Sequence, residues 1–123
     1  MTQKTFEISA YEIQLAKEKR IVCEGRAVAV QAIIRCIGIP SIYSDEHWRV
    51  HLYFAGDAAG LPGTAVSQED RLIRVFLPDG HFERFVDLLR NEKPIFCNFD
   101  FDRPDEIIFR SSIEPVGEEE SSG

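Results

Sequence analysis

The chain holds 123 residues in 14.0 kDa, 44% hydrophobic and 28% charged, the make-up of a single domain able to bury a core without staples. Its net charge is −7, but Glu114, Glu118, Glu119 and Glu120 lie in a stretch without Lys or Arg, so residues 1–113 set 14 basic against 17 of the 21 acidic groups, a net of −3. That balance argues against a general phosphate-backbone binder, three cysteines without paired spacing argue against a disulfide scaffold, and the longest apolar run, Ala27–Ile42, is broken by Gln31, Arg35 and Pro40.

In chain order, Thr5–Leu15 alternates as Phe6/Ile8/Ala10 and then as Tyr11/Ile13/Leu15, a strand whose faces switch near Ala10 as at a bulge. Ser9 and Glu12 also form a capping box, so a helix start competes with the strand. Lys17-Glu18-Lys19-Arg20 reads as a solvated turn. Ile21–Ile37 is rich in β-branched residues and predicts a second strand, although Val30, Ile33, Ile34 and Ile37 are also helically spaced, with Gly38 and Pro40 as a stop. Ser44-Asp45-Glu46 then turns the chain from Ile39–Tyr43 into a strand. There Trp48, Val50, Leu52 and Phe54 face the core, while His47, Arg49, His51 and Tyr53 face away. Ala55–Gln68, with three glycines and one proline, reads as a long loop.

The clearest pattern follows. Ile73, Val75 and Leu77 alternate in a strand, and Pro78-Asp79-Gly80 starts a helix over 79–90 with Asp79 as its cap. Phe82, Phe85, Val86 and Leu89 form its apolar stripe, expected to cover Phe99, and Pro94 ends it near Asn91. Ile95, Cys97, Phe99 and Phe101 make another strand, Arg103-Pro104-Asp105-Glu106 a turn, and Ile107–Ile113 a return strand. The pattern predicts an α+β domain over residues 1–116, a mostly antiparallel sheet arranged as a partly open barrel or two layers. Residues 117–123 read as a disordered acidic tail.

Chemical motifs are sparse. His47 and His51 have metal-pair spacing only on a helix; on a strand they stand about 13 Å apart. Asp100, Asp102, Asp105 and Glu106 crowd one turn, but Arg103 and Pro104 occupy its middle and no glycine permits a calcium loop. The Gly56–Thr64 stretch lacks a P-loop's Lys-Ser/Thr pair, and no nucleophile elbow is present. Cys97 reads as a small buried hydrophobe. The reading therefore names no catalytic residue, metal or cofactor.

One constellation stands out. Arg49, His51, Tyr53, Arg74, Phe76 and Arg110 fall on strand faces turned away from the core, mixing arginines with aromatics as single-stranded nucleic-acid binders do. Packing of the same residues against another layer of the protein is the plainer alternative, favoured by the absence of basic excess. The leading expectation is a non-enzymatic cytoplasmic protein-interaction module without a membrane span. Because the strands carry apolar residues on both faces and only one helix is available, a homodimer is expected, with another protein as a further possible partner. Nucleic-acid binding through the six residues is the alternative. A ligand pocket or active site under the 55–68 loop is a third.

Overall fold

The computed structural model describes residues 3–39, 47–56 and 60–111. Its strands are β1 (Gln3–Cys23), β2 (Arg26–Gly38), β3 (Arg49–Ala55), β4 (Ala65–Ser67), β5 (Leu72–Pro78), β6 (Ile95–Asp100) and β7 (Ile108–Ser111), with one α-helix, α1 (Phe82–Asn91). They form one open mixed sheet in the order β4-β5-β3-β2-β1-β6-β7. Only β3 and β5 run parallel; every other neighbouring pair is antiparallel. The expected α+β, mostly antiparallel domain is what the chain forms, as an open sheet.

The first two strands make a long hairpin, so the β-branched run wins over the helical spacing of Val30, Ile33, Ile34 and Ile37 and over the Ser9/Glu12 box. The expected face switch is present: Ile8 pairs with Gly38 but Ala10 pairs with Ile37, leaving Ser9 as an inserted residue. The turn, however, is not at Lys17–Arg20. It lies at Glu24-Gly25, where φ values of 53° and 76° suit a two-residue hairpin turn. Lys17–Arg20 stay in solvent inside the strand, at a second irregularity where Ala16–Glu18 stand between the pairs Leu15/Ala32 and Lys19/Val30.

That second insertion changes which face the hairpin covers. Ala32, Ile34 and Cys36 bury on the helix side of the sheet. Val28 and Val30 continue the same alternation, yet bury in a separate cluster with Ile33, Tyr53 and Phe76. The strand pair therefore rolls between Val30 and Ala32, and its far end folds over the back of β3 and β5.

The front is covered by α1. Phe82 and Phe85 meet Phe54 with ring centroids 5.2 and 5.9 Å apart, and Phe85 also meets Phe109 at 5.3 Å. Asp79 does not cap this helix with its carboxylate. A short 3-10 turn, Asp79–His81, leads in, and the Phe82 N–H donates to the Asp79 carbonyl oxygen, so the backbone itself starts the coil. Past Asn91 the chain enters β6 through a cis Lys93–Pro94 bond. The expected 103–106 turn contains a second 3-10 turn, Pro104–Glu106. Part of the expected 55–68 loop is strand β4, and Thr64 N donates to Asp105 Oδ1 at 2.8 Å. The Ser44–Glu46 turn and the acidic tail lie outside the described residues.

Phe99 is buried, but the helix rings are not its aromatic neighbours. Trp48, Phe101 and Phe6 surround it at 5.1, 4.9 and 6.2 Å. Phe99→Ala removes the centre of this group and should cost about 3–5 kcal/mol, read as a lowered denaturation midpoint. Gly38 is pinned beneath the same group: a Cβ there would lie 2.6 Å from Phe6 Cδ2 and 3.0 Å from the Trp48 carbonyl oxygen. Gly38→Ala should therefore destabilise by about 1–3 kcal/mol through overpacking. A midpoint unchanged in either variant would contradict this packing.

Candidate functional site

Strand alternation sends Val50, Leu52 and Phe54 to the front of β3 and Arg49, His51 and Tyr53 to its back. Register then decides what stands beside them. Arg35 on β2 and Arg74 on β5 both pair with His51, and Glu12 on β1 pairs with Arg35. Glu12, Arg35, His51 and Arg74 thus form one row across four adjacent strands. In the next row Tyr53 pairs with Ile33 and Phe76.

Hydrogen bonds tie the two rows together. Arg74 Nε donates to Tyr53 Oη at 3.3 Å, and its Nη2 donates to the Val22 carbonyl oxygen at 3.2 Å. Tyr53 Oη also lies 3.1 Å from His51 Nδ1. The Arg74 guanidinium sits over the Tyr53 ring at 5.4 Å, and Tyr53 stacks on Phe76 at 5.0 Å. Arg35 Nη1 pairs with Glu12 Oε1 at 3.2 Å, and Arg49 Nη2 reaches the Asp70 carbonyl oxygen at 3.4 Å.

The electrostatics follow from this crowding. Burial, and then the fields of Arg35, Arg49 and Arg74, lower the His51 pKa to about 4. At neutral pH the ring is uncharged. Arg74 donates to Tyr53 Oη, and the same hydroxyl meets His51 Nδ1 as donor or as acceptor according to the imidazole tautomer.

Five of the six residues singled out in the sequence share this region: Arg49, His51, Tyr53, Arg74 and Phe76. Arg110 does not join them. It sits on β7, four places from β3 in the sheet and so about 19 Å across it, with its guanidinium 4.8 Å from the Phe96 ring centroid. Tyr53 and Phe76 are 4% and 7% exposed, enclosed beneath the rolled hairpin. The residue that sequence reading missed is Arg35. Its one signal was a lone charge inside the apolar Ala27–Ile42 run, and only the β2–β3 register places it beside His51.

Other chemistry-bearing groups stand apart. Among the described residues no three His, Cys, Asp or Glu side chains converge as metal ligands. Cys36 and Cys97 are fully buried on the front; burial pushes the Cys36 thiol up to about 12 and raises Cys97 as well. Both are held as neutral thiols. No helix among the described residues is long and apolar enough to cross a membrane.

The His51 shift has a signed consequence. The unfolded imidazole, at its ordinary 6.5, takes up a proton that the folded one refuses until about pH 4. Stability from this group is complete above pH 6.5 and is lost as pH falls towards 4. His51→Gln should flatten that limb of a midpoint-versus-pH profile. An imidazole titrating near 6.5 by NMR would show that neither burial nor the arginines act on it.

Set against known protein families, curated proteins and solved structures, the chain shows no match.

Proposed function

We propose that this protein is a non-enzymatic protein-interaction module that self-associates through the middle of β1. The observation that carries the reading is an unpaired edge. β6 pairs β1 only over Gln3–Ile8, and among the described residues nothing pairs that edge from Ala10 onward. Of the sheet's outer strands β4 is only three residues long, which limits strand addition there, and β7 spans four described residues. The open β1 edge is longer, and its Tyr11, Ile13 and Leu15 are exposed.

The usable stretch is bounded on both sides. The start of β6 occupies the edge up to Ile8, and the insertion at Ala16–Glu18 bends the strand away beyond Leu15. Lys17, Lys19 and Arg20 also discourage pairing further on. Within Ala10–Leu15 the sequence Tyr-Glu-Ile-Gln-Leu alternates symmetrically about Ile13. An antiparallel pair centred there sets Tyr11 against Leu15 of the other copy, Ile13 against itself and Glu12 against Gln14. Apolar side chains then meet apolar ones, and the free peptide groups gain partners. A groove of about 420 Å³ lined by Ser9, Ala10, Tyr11, Leu89, Lys93 and Ile95 continues the same edge.

The nucleic-acid alternative keeps Arg49 and Arg74, but Tyr53 and Phe76, its best stacking rings, lie under the hairpin, which makes self-association the better-supported reading. Such a short strand pair is a small interface, so dissociation in the micromolar range is expected. Sedimentation equilibrium should give twice 14.0 kDa at tens of micromolar, and the exposed substitution Ile13→Lys should return the monomer without unfolding it. A 14.0 kDa species throughout would defeat the proposal.

A further inference from the structure

We infer that the row of Arg35, His51 and Arg74, with Arg49 beside it, is a binding site for the phosphoryl group of a small phosphate monoester. The site is separate from the β1 edge and does not depend on self-association.

Charge is the first argument. Three guanidinium groups surround the neutral His51, and among the described residues their one carboxylate partner is Glu12, on Arg35. Arg49 and Arg74 donate to two carbonyl oxygens and a phenol oxygen, which leave their charges without a carboxylate among the described residues. The cluster therefore keeps about two positive charges inside a protein whose net charge is −7. A phosphate monoester carries −1.5 to −2 at neutral pH, which matches that excess.

Geometry is the second. Strands stand about 4.8 Å apart, so Arg35 and Arg74 rise about 10 Å from each other with His51 between them. An anion above His51 would stand between the two arginines, whose N–H groups not engaged by Glu12, Tyr53 and Val22 are the donors through which arginine recognises phosphate. His51 adds a second kind of donor. Tyr53 occupies its Nδ1, and the tautomer in which the Tyr53 hydroxyl donates there leaves Nε2–H to give to the anion. The wall on one side is the rolled hairpin, fixed there by the Arg74 bond to Val22. That wall also covers the aromatic rings a nucleobase would need, which favours a small ligand over a polynucleotide.

The test uses the full chain, titrated with glycerol phosphate at pH 7.5 and constant ionic strength while the His51 imidazole and arginine side-chain NMR signals are followed. Saturable shifts at Arg35, His51 and Arg74 are expected, with acetate leaving them unmoved. Arg74→Gln should weaken binding by roughly tenfold or more. Because Arg74 also braces the hairpin, the exposed Arg49→Gln is the second variant, expected to weaken binding while leaving the denaturation midpoint unchanged. Ile13→Lys should bind as the unaltered chain does, which separates this result from the outcome for the β1 edge. Equal shifts with acetate, or full affinity in both arginine variants, would overturn the assignment. A single-stranded oligonucleotide binding far more tightly than glycerol phosphate would overturn it in favour of a polyanion.

Discussion

Everything in this fold depends on one hairpin burying apolar side chains on both faces of a sheet that, among the described residues, has one helix to cover it. Ile73, Val75, Cys97 and Phe99 turn to the front, where α1 supplies a partner layer. Ile33, Tyr53 and Phe76 turn to the back, where no helix lies among the described residues. The extra residues at Ala16–Glu18 resolve this by rolling β1 and β2, so that Val28 and Val30 cover the back with the same alternation that Ala32 and Ile34 use for the front. A bulge strengthens local twist and redirects side chains. Here it converts one hairpin into two layers.

The same roll creates both candidate sites. By taking the far end of the hairpin out of the plane, it bounds the Ala10–Leu15 edge, which β6 leaves unpaired among the described residues because it begins opposite Ile8. By bringing Val22 over β5, it gives Arg74 a carbonyl to hold and leaves the His51 row beside a wall. A charged side chain that donates to carbonyls is satisfied as a hydrogen-bond donor, yet its charge remains unbalanced. The depressed His51 pKa records burial first and that imbalance second.

Much of the front was legible in the sequence because a local period is enough to assign it. Trp48, Val50, Leu52 and Phe54 alternate and are buried; Phe82, Phe85 and Leu89 repeat at helical spacing and pack on the front. The bulge at Ser9 was legible too, since two alternations of opposite phase abut there. Features set by pairing were not. Lys17–Arg20 looks like any solvated turn, and its place inside a strand depends on β2 continuing opposite it. Asp79 has the chemistry of a cap, but the 3-10 turn made its carboxylate unnecessary. The candidate row was half visible: alternation put Arg49, His51 and Tyr53 on one face, while Arg35 joined them only through the register of β2 on β3. Arg110 shows the converse, a residue of the right type on the right face, separated by the strand order.

The strand order also has a consequence for synthesis. Gln3–Ile8 is made first but pairs with Ile95–Asp100, which emerges almost ninety residues later. At about 5–20 residues per second the ribosome takes on the order of ten seconds to supply that partner. Until then Phe6 and Ile8 project from a strand whose one edge is bare from end to end, while the hairpin with β2 can already have closed. The nascent chain therefore passes through a period in which its stickiest edge is twice as long as in the finished protein, and a chaperone or a slower neighbour on the same message would meet it there.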